Sequence, residues 1–303
     1  MKKYDVAVVG AGIAGMTAAI YALRAGKSVC VFENESFGGQ ISYSPKVENY
    51  PGIPAVSGQE LADAMLEQIN ALGVTVEVES VRSVTVNGDG SKKLVTDWNE
   101  YECKAVVLAT GSKHRKLGVA REDELVGKGV SYCAVCDGAF FRDKPVAVIG
   151  GGSTALQDAI YLSSYCSAVY VVHRRGTFRG EDRLVNILKE KANVKFLLDC
   201  TVKSLDGSDR VQGITVENKK TGQTEEVPVQ GVFVAVGQIP QNDKFTNIVD
   251  LDEYGYIASG EDCRTRTPGV FAAGDCRSKT LRQLTTAAAD GAVAGTAAAE
   301  YCE

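Results

Sequence analysis

Two cysteines three residues apart are the part of the sequence best suited to chemistry. Cys133 and Cys136 lie in the segment CAVCDG, and Asp137 directly follows the second sulfur. A redox disulfide needs two sulfurs that reach each other across one turn, a thiolate that can attack, and an acid for the leaving thiolate. Asp137 is the candidate that holds and returns this proton. A CxxC pair arises by chance about one time in four in a chain with nine cysteines, so the spacing alone does not establish a redox site.

A zinc site is the competing interpretation of this pair. It would need a second cysteine pair or nearby histidines, whereas the chain has one CxxC and only two histidines, His114 and His173. We therefore expect no metal. The other seven cysteines are scattered, and we predict that they are small buried hydrophobes or incidental surface thiols. They are Cys30, Cys103, Cys166, Cys200, Cys263, Cys276 and Cys302.

An internal repeat supplies the elements that would position an electron source. Residues 5–33 align without a gap on residues 145–173, at a constant offset of 140, and ten of the 29 positions are identical. Each copy reads as strand, glycine turn, helix and strand, the βαβ unit of a dinucleotide-binding domain. Such a turn needs glycine for the bend and for close approach to a pyrophosphate. The turn residues are Gly10, Gly12 and Gly15 in the first copy and Gly150, Gly152, Ser153, Thr154 and Ala155 in the second.

The two copies differ at the end of their second strand, where a bound ribose would lie. The first copy ends in Glu33, whose carboxylate suits a free ribose 2′-hydroxyl and repels a phosphate. The second copy ends in a basic segment that suits a 2′-phosphate, because guanidinium groups bind phosphate with paired donors and opposite charge. This segment contains His173, Arg174, Arg175 and Arg179. We therefore predict FAD or NAD in the first unit and NADP(H) in the second.

Length and composition restrict the class of protein. The chain has 303 residues, 45% of them hydrophobic, and a net charge of −5, which suits two globular domains and gives no basic footprint for nucleic acid. An odd number of irregularly spaced cysteines argues against a secreted disulfide framework. Lys2 and Lys3 precede an uncharged run over residues 6–23, as in a signal peptide. Asp5 and the three glycines of the run argue against that interpretation. We expect a cytoplasmic protein without membrane spans.

Motifs along nearly the whole chain resemble those of the low-molecular-weight thioredoxin reductases. The cysteine motif and the C-terminal segment are the specific ones, since many flavoproteins share the glycine turns. In order, the motifs are VVGAGIAG (8–15), GGQ (38–40), ENYPG (48–52), VVLATGS (106–112), SYCAVCDGAFF (131–141), GGGSTA (150–155), HRRGTFR (173–179), TPGVFAAGD (267–275) and RQLTTAAADG (282–291).

This resemblance implies an α/β fold of two Rossmann-like, three-layer ββα-type dinucleotide-binding domains, the second inserted in the first. The FAD-binding domain would comprise residues 1–112 and 241–303, and the NADPH-binding domain residues 113–240, with crossing strands at 109–112 and 236–240. The resemblance identifies the first nucleotide as FAD. The further FAD contacts that it implies are Gly39, Gln40, Asn49, Thr110, Gly111, Gly274, Asp275, Arg282 and Gln283. Gln283 also opens an Ala-rich helix whose N-terminus can face the flavin or pyrophosphate oxygens.

The resemblance also implies the reaction, which is reduction of oxidised thioredoxin by NADPH through FAD and the cysteine pair. Cys136 would face the flavin, Cys133 would attack the thioredoxin disulfide, and Asp137 would handle the proton. The inserted domain would rotate between the two half-reactions, and the protein would be a homodimer. Two local departures accompany the match: Gln157 and Asp158 stand where the family usually has paired glutamates, and VAREDEL (119–125) replaces a Pro-Gly-Glu bend.

Two other functions fit the same motifs. The first is an NADPH flavoenzyme that serves another disulfide partner, such as a glutaredoxin-like protein, or that oxidises a small dithiol and passes electrons to oxygen. The second is a non-catalytic flavin-binding redox sensor in which CAVCDG is a regulatory switch. Peroxide release without a protein partner would favour the oxidase. Rapid anaerobic flavin bleaching by NADPH, coupled to multiple turnovers, would exclude the sensor.

Overall fold

The computed structural model describes residues 1–44 and 46–303 and divides the chain into two compact units. The first unit comprises Met1–Lys113 and Ile239–Glu303, and the inserted unit comprises His114–Gln238. The predicted domain boundaries lie within two residues of this division. Among the described residues, no helix combines the length and the apolar character needed to cross a membrane.

The helices and strands are numbered in chain order. The helices are α1 (Ile13–Arg24), α2 (Gly58–Ala71), α3 (Glu122–Leu125), α4 (Ala134–Asp137), α5 (Ser153–Ser163), α6 (Asp182–Lys189) and α7 (Leu284–Tyr301). The strands are β1 (Lys2–Val9), β2 (Val29–Phe32), β3 (Thr75–Glu77), β4 (Val81–Val86), β5 (Lys92–Thr96), β6 (Glu100–Leu108), β7 (Ser112–His114), β8 (Val130–Ser131), β9 (Pro145–Ile149), β10 (Ala168–His173), β11 (Val194–Leu198), β12 (Cys200–Asp206), β13 (Gly213–Asn218), β14 (Thr224–Val227), β15 (Gly231–Val234), β16 (Gln238–Pro240) and β17 (Val270–Ala272).

The first unit is built on a seven-stranded sheet whose path is β3-β2-β1-β6-β5-β4, with β17 also paired to β6. Strands β3, β2, β1, β6 and β17 are parallel, whereas β4 and β5 form an antiparallel meander on β6. Alternate residues of β1 enter two different apolar clusters, since Val6 and Val8 lie in one and Ala7 and Val9 in the other. Both faces of the sheet are therefore buried, as expected for a sheet covered on both sides.

The inserted unit has a parallel five-stranded sheet in the order β11-β10-β9-β15-β8 and a separate antiparallel sheet in the order β12-β13-β14. Together with the helices these sheets confirm the predicted α/β fold class. The chain passes between the units along β7 and β16, which form a two-stranded sheet.

The internal repeat is preserved in the strand register. Val6 of β1 pairs with Val29 of β2, and Val146 of β9 pairs with Val169 of β10, so that the offset of 140 holds on both strands. In each copy the helix follows the glycine turn directly, with Gly12 and Gly152 as the N-cap residues of α1 and α5. The repeat read from the sequence is therefore a structural repeat of two βαβ units.

Candidate active site

Cys133 and Cys136 form a disulfide at the short helix α4, with a Cα–Cα distance of 5.3 Å. Strand β8 ends two residues before the first cysteine, and Cys133 is the N-cap residue of α4. The Cys136 amide donates a hydrogen bond to Cys133 Sγ over 3.2 Å. Such a donor favours the charged form of the sulfur after reduction, since hydrogen bonds to a charged form stabilise it. The geometry therefore suits Cys133 as the thiolate that attacks.

Asp137 lies on the same turn and has one free carboxylate oxygen. Ser131 donates to Asp137 Oδ2 over 2.7 Å and accepts from the Cys133 amide over 3.1 Å. Asp137 Oδ1 is buried and has no hydrogen-bond partner among the described residues. Burial raises the pKa of the Asp137 carboxyl, which keeps a proton on it at higher pH than on an exposed aspartate. Asp137 is therefore equipped to hold a proton beside the second sulfur.

The other seven cysteines are free thiols, and all of them are buried. Burial raises the pKa of the Cys103 thiol to about 12 and that of the Cys166 thiol to about 11. Since the thiolate is the reactive form, these groups are poor nucleophiles. Among residues 1–44 and 46–303, no group of three or more His, Cys, Asp or Glu residues is arranged to hold a metal ion.

The first glycine turn is too tight for side chains. A Cβ atom on Gly10, whose φ is +106°, would lie 2.3 Å from the Ala109 carbonyl oxygen, and one on Gly15 would lie 1.9 Å from the Gly10 carbonyl oxygen. The N-cap residue of α1, Gly12, has no side chain that could accept a hydrogen bond from the first amide groups of the helix. Gly12 forms a bridge with Gly38, which brings the GGQ segment with Gly39 and Gln40 to this turn. This cradle suits a pyrophosphate.

Glu33 is held rigidly at the end of β2. Its Oε2 accepts from the Ala11 amide over 2.8 Å, and its Oε1 accepts from the Asn34 and Glu35 amides at 2.8 Å each. A carboxylate so fixed beside the glycine turn is suited to accept hydrogen bonds from ribose hydroxyl groups.

The C-terminal part of the predicted FAD site surrounds Asp275. Burial raises the pKa of this carboxyl, and its Oδ1 has no partner among the described residues. The Asp275 carbonyl oxygen accepts a hydrogen bond from Arg282, whose guanidinium lies 4.0 Å from the centre of the Tyr256 ring. Gln283 is the N-cap residue of α7 and accepts from Asn49 Nδ2 over 3.1 Å. An unpaired buried oxygen requires an explanation, and a ligand hydroxyl would provide it.

Thr110 and Gly111 are the two central residues of the ATGS segment, and the sequence did not reveal the main partner of Thr110. Thr110 donates to Asn242 Oδ1 over 3.0 Å, and the fully buried Asn242 donates to the carbonyl oxygens of Gly255 and Cys276. Gly111 has a φ of +64°. Nothing local marks Asn242, since its partners are distant in sequence. Ser131 was also missed, although it lies inside the SYCAVCDG segment and its polar side chain precedes Cys133 by two residues.

The second glycine turn rests on a buried histidine. A Cβ atom on Gly151 would lie 2.2 Å from the His173 ring, and the ring stacks on Phe178 with 5.4 Å between centroids. Burial lowers the pKa of His173, which favours the neutral imidazole. His173 Nε2 lies 3.1 Å from the Thr177 carbonyl oxygen. The structure therefore places His173 beneath the turn as a support.

The remaining residues of the second turn are more accessible. Gly152 caps α5 without a side-chain hydrogen bond, Ser153 accepts from the Glu181 amide over 3.3 Å, and Thr154 is exposed. The three arginines are exposed, and no described residue forms an ion pair with their guanidinium groups. They are Arg174, Arg175 and Arg179. Their charge is available to an anionic ligand.

A redox disulfide next to a nucleotide-binding βαβ unit defines a class of flavin- and nicotinamide-dependent oxidoreductases, and comparison with known proteins agrees. The chain belongs to the pyridine nucleotide-disulphide oxidoreductase family, whose model matches residues 4–291.

Within this family the chain is similar to thioredoxin reductases. Those of Listeria monocytogenes and Bacillus subtilis are 41% and 39% identical to it over 303 residues, covering 100% of the chain and 95% and 96% of their own lengths. The solved structure of thioredoxin reductase from Streptococcus pyogenes has a TM-score of 0.94 and 42% identity, covering 99% of this chain and 98% of that one. The resemblance predicted from the motifs is confirmed, and the chain is an oxidoreductase of the thioredoxin reductase kind.

Proposed function

We propose that the chain transfers electrons from NADPH through FAD to the Cys133–Cys136 disulfide and from there to oxidised thioredoxin. The observation that carries this proposal is the disulfide at α4 with the Asp137 carboxyl on the same turn. Family membership implies flavin and nicotinamide cofactors, and the thioredoxin reductases among its relatives make thioredoxin the substrate of choice. From the same resemblance we propose a cytoplasmic homodimer.

The first unit suits FAD. The glycine cradle and uncapped α1 would hold the pyrophosphate, Glu33 the ribose, and the unpaired Asp275 Oδ1 a hydroxyl of the cofactor. Residues 1–112 and 241–303 would thus form the FAD domain. When bound, the flavin accepts a hydride from reduced nicotinamide and supplies two electrons to a disulfide.

The inserted unit suits NADPH rather than NADH. The turn from Gly150 to Thr154 would hold the pyrophosphate at the N-terminus of α5, and the exposed arginines would bind the 2′-phosphate. His173 would act indirectly by supporting the turn. Residues 113–240 would thus carry both the nucleotide site and the redox cysteines.

The cysteine pair then performs thiol–disulfide exchange. The Cys133 thiolate attacks one sulfur of the thioredoxin disulfide, which forms a mixed disulfide and releases the other thioredoxin sulfur as a thiolate. The Cys136 thiolate attacks Cys133 Sγ, which releases the second thioredoxin thiolate and restores the Cys133–Cys136 disulfide. The two electrons held by the cysteines pass to thioredoxin, and its two thiolates take up two protons. Asp137 would hold the proton removed from Cys136.

The surface around the pair suits a protein substrate. Val135, between the two cysteines, is 47% exposed, and Phe140 lies at the surface five residues later. Exposed apolar side chains beside a reactive group favour docking of another protein.

The test is the variant Cys133→Ser, compared with Cys166→Ser, which removes a buried thiol of the same unit. We expect Cys133→Ser to keep anaerobic flavin reduction by NADPH and to lose thioredoxin reduction, whereas Cys166→Ser keeps both. Thioredoxin turnover at the wild-type rate in Cys133→Ser would refute the proposal. Wild-type protein that consumes NADPH and releases peroxide without thioredoxin would instead favour the oxidase.

A further inference from the structure

Three charged side chains form a buried cluster beneath the turn that carries Asp275. Asp290 of α7 is paired with Arg277 and Lys279, and their side chains are 7%, 2% and 6% exposed, respectively. Arg277 donates from Nε to Asp290 Oδ2 over 2.9 Å and from Nη2 to Oδ1 over 2.8 Å. Lys279 Nζ donates to Asp290 Oδ2 over 2.7 Å. We call these three residues the Asp290 cluster.

The cluster is bound directly to the backbone of that turn. Asp290 Oδ2 also accepts from the Gly274 amide over 2.9 Å. Gly274 immediately precedes Asp275, and Arg277 follows it by two residues, so Asp290 holds the chain on both sides of Asp275. Gly274 has a φ of +81°, a conformation that L side chains rarely adopt. The direction of the Asp275 side chain therefore depends on the hydrogen bonds that Gly274 and Arg277 donate to the Asp290 carboxylate.

Stability alone is a poor reason for this arrangement. Desolvation of buried charges offsets much of their attraction, and well-packed apolar residues often stabilise a core equally well. Arg277 has a second acidic partner outside the cluster, since its Nη2 lies 3.5 Å from Oε1 of the exposed Glu261. The Asp290 cluster is better explained by the conformation that it gives to the turn around Asp275. The Asp275 carboxylate, which that turn orients, has a buried oxygen without a described partner.

We propose that Asp290 is a positioning residue for Asp275 and, through it, for the cofactor of the first unit. This inference rests on the proposed function, in which Asp275 contacts FAD. Asp290 is not expected to touch the cofactor, because its two oxygens already accept four hydrogen bonds from Gly274, Arg277 and Lys279. Its effect on FAD binding should therefore pass entirely through Asp275.

A double-mutant cycle on FAD affinity tests this coupling. The variants are Asp290→Asn, Asp275→Asn and the two combined, and the measurement is the dissociation constant of FAD from the full-length chain. Asn at 290 turns one acceptor into a donor facing Arg277 or Lys279. We expect each single change to weaken FAD binding roughly 10- to 100-fold, and the double variant to be no weaker than Asp275→Asn.

Controls separate positioning from general loss of structure. Asp250→Asn removes an exposed aspartate paired with Arg266 in the same unit, and we expect it to leave FAD affinity unchanged. If Asp290→Asn does not fold, Lys279→Met removes a single donor from the cluster and replaces Asp290→Asn in the cycle. Circular dichroism of each variant reports folding independently of the cofactor.

The outcomes are distinct. Wild-type chain that does not bind FAD would overturn the proposed function itself. Wild-type chain that binds FAD, with losses that multiply in the double variant, would overturn only the inference, since Asp290 would then act independently of Asp275. Unchanged FAD affinity in folded Asp290→Asn would overturn it as well. Coupled losses support it.

Discussion

Asp158 offers a test of how burial acts on a charge in this fold. It lies on α5, is partly buried, and forms no hydrogen bond or ion pair with a described residue. Its neighbours on the same helical stripe, Ala155 and Leu162, belong to the apolar cluster that also contains Ala134 beside the disulfide. Burial raises the pKa of Asp158 to about 7, from an ordinary value of 3.8. The folded state is therefore penalised at every pH at which this carboxyl is ionised in the unfolded chain.

The sign and size of the penalty follow from linkage. Because the folded pKa is raised, the unfolded chain loses this proton first, and the penalty grows as the pH rises from 3.8 to about 7. One pKa unit corresponds to about 1.4 kcal/mol, so the full penalty is on the order of 4 kcal/mol above about pH 8. At about pH 5 it is less than half as large, since the folded carboxyl still holds its proton there.

Replacing Asp158 by Asn removes the charge and keeps the shape. We expect Asp158→Asn to increase the free energy of unfolding by about 2 to 4 kcal/mol at about pH 8.5, and by a markedly smaller amount at about pH 5. Urea unfolding of the full-length protein, followed by circular dichroism at both pH values, measures the difference. The control Asp209→Asn removes an exposed aspartate from the same unit. Equal effects of Asp158→Asn at both pH values, or destabilisation at the higher one, would refute this reasoning.

Three further changes test the site and its support. We expect Asp137→Asn to lower kcat for thioredoxin reduction about 100-fold while anaerobic flavin reduction by NADPH persists, since it removes the acid beside Cys136; an unchanged kcat would contradict this role. Replacing Arg174 and Arg175 together by Ala should raise KM for NADPH at least 10-fold and leave KM for NADH unchanged in steady-state assays, and equal effects on both would speak against 2′-phosphate binding. A Cβ atom at position 291 would lie 2.3 Å from a carbonyl oxygen of α1, so Gly291→Ala should cost about 1 to 3 kcal/mol in a urea titration, whereas Gly88→Ala, which meets open space, should cost far less.

The repeated parts of the fold were predictable because local patterns determine them. Apolar strands, glycine turns and small-residue helices recur at an offset of 140, and the register of Val6 on Val29 and Val146 on Val169 reproduces that offset. The pairing of β17 with β6 was not predictable in the same way. It joins Val270 to Val106, which stand on opposite sides of the inserted unit in the sequence, and no periodicity relates the two segments.

The reactive groups were easier to predict from the sequence than the residues that hold them in place. Cys133, Cys136 and Asp137 could be proposed from residue type and spacing, because thiol chemistry needs those groups close together. The sequence predicts a nucleotide contact for His173, and the structure packs the ring of this residue against Gly151. Residue type alone does not tell whether a histidine faces a ligand or the core, and only the packed structure separates the two.

The two acids proposed for proton transfer and for cofactor binding share one structural feature, a buried carboxylate oxygen without a described partner. Among the residues that the structure describes, two carboxylate oxygens are buried without a partner, one on Asp137 and one on Asp275. Folded chains normally pair such groups, and local rules tend to be broken at functional sites. One of these oxygens belongs to the residue that follows Cys136 in the chain, and the other belongs to a residue of the predicted flavin site. Ser131 donates a hydrogen bond to the other carboxylate oxygen of Asp137, and Asp290 accepts one from the amide of Gly274, the residue before Asp275. The structure therefore restrains the Asp137 side chain and the backbone beside Asp275 and leaves one oxygen of each acid without a described partner, as the proposed roles of proton carrier and cofactor ligand require.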